Sequence, residues 1–268
     1  MQRFDFPYSV TIKKIVQETP FVRSYFFDFP FRAQPGQFVM VWVPGVDEKP
    51  MSIAFDDGKQ YMLSIATVGK ATKELAEKKE GDWLGIRGPY GKPFTWKPHE
   101  KLAMLAGGYG AGPLYFAASL AVKEACNVDF FSGARSSDLL LFAKYLKKIK
   151  GVNFLPSTDD GSAGFKGHNV GLWLKQMDEG VKYDRVMTCG PELMMKKVSD
   201  VAYDRKVHAQ ISIERYMKCG FGICGNCCVD DSGIALCQKG PVMSNEEVRK
   251  IKEFGVYHRD DLGKKIFY

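Results

Sequence analysis

Apolar and polar positions change rhythm twice along the chain. Up to about residue 98 the apolar residues come in short β-branched and aromatic runs, such as Phe38-Val39-Met40-Val41-Trp42-Val43 and Tyr61-Met62-Leu63-Ser64-Ile65-Ala66. Runs of this kind read as strands. Gln34-Pro35-Gly36, Asp56-Asp57-Gly58 and Gly88-Pro89-Tyr90-Gly91-Lys92-Pro93 punctuate them as turns. One helix interrupts over 72–79, with Thr72 as its cap. Short strands at this spacing predict a small antiparallel β-barrel.

Beyond Trp96-Lys97-Pro98 the pattern alternates. Leu102-Ala103-Met104-Leu105-Ala106 runs into a glycine loop and an alanine-rich helix ending near Glu124. Val128-Asp129-Phe130-Phe131 leads to Gly133-Ala134-Arg135 and a predicted helix over 138–148. Asn153-Phe154-Leu155-Pro156, a helix over 171–176 and Arg185-Val186-Met187-Thr188 continue the series. Strands alternating with helices predict a doubly wound parallel sheet. From about His208 the chain turns glycine- and cysteine-rich, then closes with a charged helix over 245–253 and a polar tail. The expectation is a multidomain β plus α/β chain: a barrel over 1–98, an α/β nucleotide-binding domain over 99–207, and a small C-terminal domain over 208–268.

Composition narrows the class. The 268 residues are 45% hydrophobic and 26% charged, ordinary for a globular protein and far from disordered or collagen-like compositions. No apolar run reaches the roughly 18 residues of a membrane helix. The start, Met1-Gln2-Arg3-Phe4-Asp5-Phe6-Pro7, sets an acid and a proline where a signal peptide needs an apolar core. A cytoplasmic protein without a membrane anchor is therefore expected. The net charge of +7 invites a nucleic-acid reading, but the basic residues are scattered pairs with no arginine-rich helix, so a solvated basic surface is preferred.

The seven cysteines change the picture most. Five fall between Cys219 and Cys237, and clustering of an odd count points to metal rather than disulfides. Cys219-x4-Cys224-x2-Cys227 with a later Cys237 is the plant-type ferredoxin spacing for a [2Fe–2S] cluster. Gly220, Gly222 and Gly225 let such a loop turn its thiolates inward and aim amides at them. Cys227 gives the x2 gap, which makes Cys228 a bystander unless the register slips by one. The competing reading is a four-cysteine structural zinc site, which more often pairs two C-x2-C knuckles. Cys126 reads as a small buried hydrophobe, and Cys189 also lies in an apolar strand.

Ala106-Gly107-Gly108-Tyr109-Gly110-Ala111-Gly112-Pro113-Leu114 follows a strand and opens a helix, the placement a phosphate-binding turn needs. Pro113 is tolerated in the first helical turn. Alone the loop is as well explained as a tight turn. Thr188-Cys189-Gly190-Pro191 ends a later strand of the same sheet, and loops at the carboxyl ends of strands meet around a ligand. In the barrel, Lys49-Pro50-Met51-Ser52 and Val68-Gly69-Lys70-Ala71-Thr72 read separately as a surface loop and a helix cap. Lys70 and Thr72 at a helix start can also hold a phosphate.

Together these motifs resemble the ferredoxin–NADP reductase superfamily. The cysteine module, Thr158-Asp159-Asp160-Gly161-Ser162, the segment from Ser212 to Gly220 and Gly240-Pro241-Val242 resemble the electron-transfer subunits of NAD-dependent dihydroorotate dehydrogenases, across essentially the whole chain. The resemblance implies FAD, a [2Fe–2S] cluster and NAD. It places Lys49, Pro50, Met51 and Ser52 against FAD, with Ser52 near the flavin ring. Ile65, Thr67, Gly69, Lys70, Ala71 and Thr72 would line the ribityl and pyrophosphate. Gly108, Gly110, Pro113, Cys189, Gly190 and Pro191 would face the nicotinamide nucleotide, with Asp159 and Asp160 as weaker candidates. Cys219, Cys224, Cys227 and Cys237 would hold the cluster.

Three positions depart from the family pattern. Lys49 stands where an arginine is usual and lacks its bidentate fork. Ala71 replaces a glycine, and Tyr109 replaces a small aliphatic, where it would crowd or stack on the nicotinamide site.

The implied chemistry is electron transfer: nicotinamide moves a hydride, the cluster single electrons, and the flavin both. No general acid–base pair or nucleophile is expected, and His99, His168, His208 and His258 read as surface or loop residues. By resemblance, a separate FMN-containing dihydroorotate dehydrogenase catalytic subunit would feed electrons to the cluster, then FAD, then NAD+, in a hetero-oligomer serving pyrimidine biosynthesis. Arg135 is placed either to meet an NADP 2′-phosphate, to cap a helix or to face solvent. Another NAD(P)H oxidoreductase subunit (a ferredoxin–NADP reductase, sulfide dehydrogenase or hydrogenase partner) is the alternative, and a zinc-stapled binding module a more distant one.

Overall fold

The computed structural model describes residues 4–29 and 31–268. Met1-Gln2-Arg3, part of the leader argument, lie outside the described residues. The N-terminal sheet has seven strands: β1 (Phe4–Thr11), β2 (Lys14–Thr19), β3 (Val22–Asp28), β4 (Phe38–Val43), β5 (Asp47–Asp56), β6 (Gln60–Ala66) and β7 (Trp83–Tyr90). Their order is β1-β7-β4-β5-β6-β3-β2, and every pairing is antiparallel. Val39, Val41 and Val43 of β4 meet Ile53, Leu63, Ile65, Leu84 and Ile86 in one core, while Phe38 and Met40 on its opposite face are buried in a second one with Tyr90 and Met217. Irregular registers at Phe38/Met40 and Ile53/Phe55 supply bends. The Lys13 amide donates to the Phe26 carbonyl at 2.8 Å, carrying the end of β1 round to β3.

The helix between β6 and β7, α1 (Lys70–Ala76), starts two residues before the expected Thr72. Thr72 is its third residue and not its cap. Its hydroxyl reaches back to accept the amides of Val68 at 3.0 Å and Gly69 at 2.9 Å, two donors the first turn would leave unpaired.

The second sheet carries β8 (Lys101–Gly107), α2 (Ala111–Ala121), β9 (Asn127–Ala134), α3 (Ala143–Leu146), β10 (Val152–Thr158), β11 (Phe165–Lys166), α4 (Asn169–Asp178), β12 (Arg185–Cys189), α5 (Glu192–Asp204) and β13 (His208–Ser212). With α6 (Leu236–Lys239) and β14 (Val242–Ser244) the order is β11-β10-β9-β8-β12-β13-β14, parallel except for β14. Strand order reverses between β8 and β12, so the loops after these strands border a crevice. The sheet runs past residue 207, and the cysteine segment is inserted between β13 and β14, tethered at both ends.

The predicted helix over 138–148 is absent. A 3-10 turn at Ser137–Leu139 gives way to the single turn of α3. Phe142 adopts φ +61° between them. Leu141 and Phe142 are both buried, with Phe142 packed 4.8 Å from the Tyr115 ring, and the left-handed backbone that Phe142 takes to reach that place interrupts the helix. The charged helix over 245–253 likewise stops early, as α7 (Asn245–Val248). Beyond it the chain bends to bury Ile251, Glu253 and Phe254. The tail forms a hairpin of β15 (Tyr257–Arg259) and β16 (Lys265–Phe267).

Candidate functional site

Two adjoining clefts lie between the sheets, of about 580 and 1020 Å³. Both are in the range of ligand sites. The smaller is walled on the barrel side by Lys49, Pro50, Met51 and Ser52 of β5, by Ile65, and by Gly69, Lys70, Ala71 and Thr72 at the start of α1. Opposite stand Gly110, Pro113 and Cys189. The larger cleft takes Thr67, Gly108 and Pro191, with Arg135 and Asp159 at its far side. Of the expected nucleotide residues, Gly190 and the weaker candidate Asp160 line neither.

Gly110 explains how the two loops come together. A Cβ there would stand 2.3 Å from the Cys189 carbonyl oxygen, so only glycine lets the turn after β8 rest on the turn after β12. Gly190, at φ +146°, fits beneath Gly107 in the same way. Asn169, which the sequence did not single out, donates from Nδ2 to the Ala106 carbonyl at 2.9 Å and braces the end of β8.

The departures have local explanations. Lys49 Nζ lies 2.7 Å from Asp47, donates to the Tyr216 hydroxyl at 3.2 Å and sits 4.6 Å over its ring. Its charge is held inside the cleft wall. The Thr72 hydroxyl donates to the Gly69 carbonyl and accepts the two amides described above. It folds the loop and offers no further donor to a phosphate. Ala71 is buried in the wall, and the first-turn amides of α1 carry no helical acceptor of their own.

Tyr109 lines both clefts, and its hydroxyl donates to Glu214 Oε2 at 3.3 Å. Glu214 is open to the cleft's water but ringed by protein. Desolvation by that ring pushes its carboxyl up to about 7, opposed by the Tyr109 hydrogen bond and aided by the Glu192 charge. Burial first, and then the Glu214 charge, also raise the Cys189 thiol, keeping it neutral.

The cysteine loop is organised from inside. Gly220 (φ +78°) and Gly222 (φ +90°) turn it, where Cβ atoms would meet Met40 at 2.9 Å and Gln238 at 2.7 Å. The Cys219 thiol accepts the amides of Ile223 at 3.3 Å and Cys224 at 3.5 Å, and the Cys227 thiol accepts that of Cys237 at 3.4 Å. Burial opposes ionisation of Cys219, yet the amides of Cys224, Phe221 and Ile223 outweigh it and draw the thiol down to about 6. Such a pocket suits thiolate ligands. Burial and the neighbouring Cys227 raise Cys237 instead. Among the described residues, no three His, Cys, Asp or Glu side chains close around one point as ligands of a single ion. The fit to a cluster rests on the glycine turns and the amides aimed at sulfur.

Other candidates are placed elsewhere. Asp160 accepts the Ser162 amide and hydroxyl at 2.9 and 2.7 Å and serves its own turn. His168 faces Asp159 at 3.4 Å. His258 is no simple surface residue: its Nδ1 is buried without a partner, and its ring lies 5.1 Å from Tyr268.

Comparisons with known proteins agree in direction. Residues 214–249 match the family described as the iron–sulfur cluster binding domain of dihydroorotate dehydrogenase B. A relative from Methanocaldococcus jannaschii, named as a dihydroorotate dehydrogenase B (NAD(+)) electron transfer subunit, is 44% identical over 98% of this chain and 99% of its own. A solved NADH-dependent reduced ferredoxin–NADP oxidoreductase chain superposes with TM-score 0.80 at 30% identity, covering 91% of this chain and 92% of that one. The ferredoxin–NADP+ reductase of Neisseria gonorrhoeae, solved with FAD and NADP, shares the fold at TM-score 0.64 and 17% identity over 74% of this chain and 91% of its own.

Proposed function

The chain belongs to the family of dihydroorotate dehydrogenase B electron-transfer subunits, and from that premise we propose how its residues divide the work. The activity is electron transfer between NAD+ and a dihydroorotate-oxidising partner subunit, with FAD exchanging electrons both as the hydride pair of nicotinamide and as the single electrons of a [2Fe–2S] cluster. The barrel to about residue 98, the α/β unit with β13 and β14, and the cysteine segment inserted between those two strands serve as flavin, nucleotide and cluster units.

The single observation that carries the reading is the meeting of three elements at one cleft. Lys49–Ser52 of β5, the Gly110 turn and the Ile213–Met217 stretch leading to Cys219 all line it. We assign Lys49, Pro50, Met51, Ser52 and Ile65, with the Gly69–Thr72 turn, to FAD. The first-turn amides of α1 and the Lys70 charge suit its pyrophosphate. Thr67, Gly108, Gly110, Pro113, Cys189, Gly190 and Pro191 are assigned to NAD, at the reversal of strand order. Cys219, Cys224, Cys227 and Cys237 are assigned to the cluster. Cys224 and Ile223 are exposed beside it, a suitable face for a partner, which we take to be an FMN-containing catalytic subunit in a cytoplasmic hetero-oligomer. Among the described residues, no helix is long and apolar enough to cross a membrane.

An anaerobic visible spectrum with iron, sulfide and flavin quantification tests this assignment. FAD with a [2Fe–2S] complement, bleached by NADH and reoxidised by orotate through the partner subunit, is expected. Flavin with zinc and no sulfide would overturn it. The similarity to the ferredoxin-dependent oxidoreductase favours a second reading, a reductase fed by ferredoxin. Reduction by ferredoxin with no response to dihydroorotate would select that reading.

A further inference from the structure

Arg87 lies outside both clefts and in no motif that the sequence singled out. It sits on β7 with 6% of its surface exposed, and its guanidinium is fully engaged. Nε and Nη2 donate to the two carboxylate oxygens of Glu48 at 2.6 and 2.5 Å. Nη2 also donates to the Lys218 carbonyl at 3.0 Å, and Nη1 donates to the Cys219 carbonyl and to the Tyr90 hydroxyl. The Phe221 ring lies 5.5 Å from the guanidinium carbon. One buried cation thus grips consecutive carbonyls at the first cysteine of the loop.

Its counter-ion ties that grip to the other end of the site. Glu48 directly precedes Lys49 on β5, and Lys49 holds Tyr216. Two consecutive residues therefore hold two points of the stretch from Tyr216 to Cys219, one directly and one through Arg87. The polarity of the loop is sorted accordingly. Carbonyls turn to Arg87, while amides of Ile223 and Cys224 turn to the Cys219 thiol. A buried ion pair is weak evidence for stability, because desolvation offsets its attraction. Its bidentate fork instead fixes orientation.

We propose that Arg87 is a positioning residue for the electron-transfer reaction: paired with Glu48, it locks the Cys219 loop to the strand bearing the flavin motif and keeps backbone carbonyls off the cluster. The proposal rests on the assignment of Cys219 as a cluster ligand. Two substitutions separate charge from packing. Arg87→Met removes a cation beside an anionic cluster and should lower its reduction potential. Glu48→Gln leaves the Arg87 charge uncompensated and should raise it. A purely structural disturbance has no reason to produce opposite signs.

The test is a potentiometric titration of the cofactor-loaded chain, followed by visible absorbance and EPR, with amide hydrogen exchange over residues 217–224. The expected result is a negative shift for Arg87→Met, a positive shift for Glu48→Gln, unchanged flavin content, and faster exchange of the loop in Arg87→Met. If Arg87→Met loses its cluster, retention by Arg87→Lys with a positive shift in Glu48→Gln still supports the proposal. Shifts of the same sign, or no shift with unchanged exchange, overturn it. Wild-type protein without iron and sulfide would overturn the underlying assignment, a failure distinct from an intact cluster with unmoved potential.

Discussion

Tyr109 hands its hydroxyl hydrogen to Glu214 at the boundary between the two clefts, 3.3 Å away. Tyr109 is 46% exposed, so this contact is a tether on an otherwise free aromatic ring. Desolvation first, opposed by the Tyr109 hydrogen bond, places Glu214 near 7. The carboxyl is neutral on the acid side of that value and anionic on the basic side. The oxidised nicotinamide ring carries a positive charge and the reduced ring carries none. NAD+ should therefore bind more tightly as pH rises across one unit either side of about 7. The expected gain is roughly fivefold, or about 1 kcal/mol for partly solvated charges, with little change for NADH. Calorimetric titrations of wild type and Glu214→Gln check this. The slope should vanish in the variant, and a flat wild-type profile would contradict the assignment.

The glycine loop gives a graded prediction. Gly110→Ala drives a Cβ to 2.3 Å from the Cys189 oxygen, backbone against backbone. It should cost about 1–3 kcal/mol of stability and abolish nucleotide binding, because the two turns must part. Gly108→Ala meets nothing within 4 Å and carries only the strain of φ +53°, about 1–2 kcal/mol. Thermal melts and NADH titrations of both variants should rank them in that order. Equal nucleotide affinity in Gly110→Ala would remove the loop from the site.

What was legible in the sequence was local. The β4 run, the glycine loop and the cysteine spacing each declare themselves within a dozen residues, because strand alternation, backbone approach and ligand geometry act at short range. What was missed depends on partners far along the chain. Arg87 reaches Cys219 across 132 residues, and Tyr109 reaches Glu214 across 105. No local pattern marks either contact, although Tyr109 itself stands out within the glycine loop. The helix expected over 138–148 failed for the related reason that burial of Leu141 and Phe142 against the core overrode a helical composition. The charged stretch after Val248 bends because Glu253 has a buried destination at Arg215.

Serine substitutions should sort the cysteines cleanly. Cys219→Ser and Cys227→Ser should lose most iron and sulfide, as should Cys224→Ser and Cys237→Ser. Cys228→Ser should keep both, since the Cys219-x4-Cys224-x2-Cys227 spacing leaves it outside the ligand set. Iron and sulfide assays on the five variants are sufficient. A cluster that survives Cys227→Ser and is lost in Cys228→Ser would show that the ligand register slips by one.

The Arg215 triad makes the strongest stability prediction. Its guanidinium donates to Glu192 at 2.6 and 3.1 Å and to Glu253 at 2.8 Å, with all three side chains almost wholly buried. Glu192 opens α5 and also accepts the Gly255 amide and the Tyr268 hydroxyl, both at 2.9 Å. Glu253 accepts the Asp230 amide at 2.8 Å. One cation thus joins the nucleotide unit, the cysteine segment and the tail. Arg215→Met leaves two buried carboxylates without their counter-ion, at about 3–5 kcal/mol. With 2–4 °C per kcal/mol for a chain of this size, melting should fall by roughly 10 °C. Tyr268→Phe removes one peripheral hydrogen bond and should cost about 1 kcal/mol. Melting should be followed by both flavin fluorescence and cluster absorbance, because a chain of several units need not unfold in one step. In Arg215→Met the cluster signal should go first, since the segment bearing it loses its anchor to α5. Coincident loss at the wild-type temperature would show that the triad carries no such load.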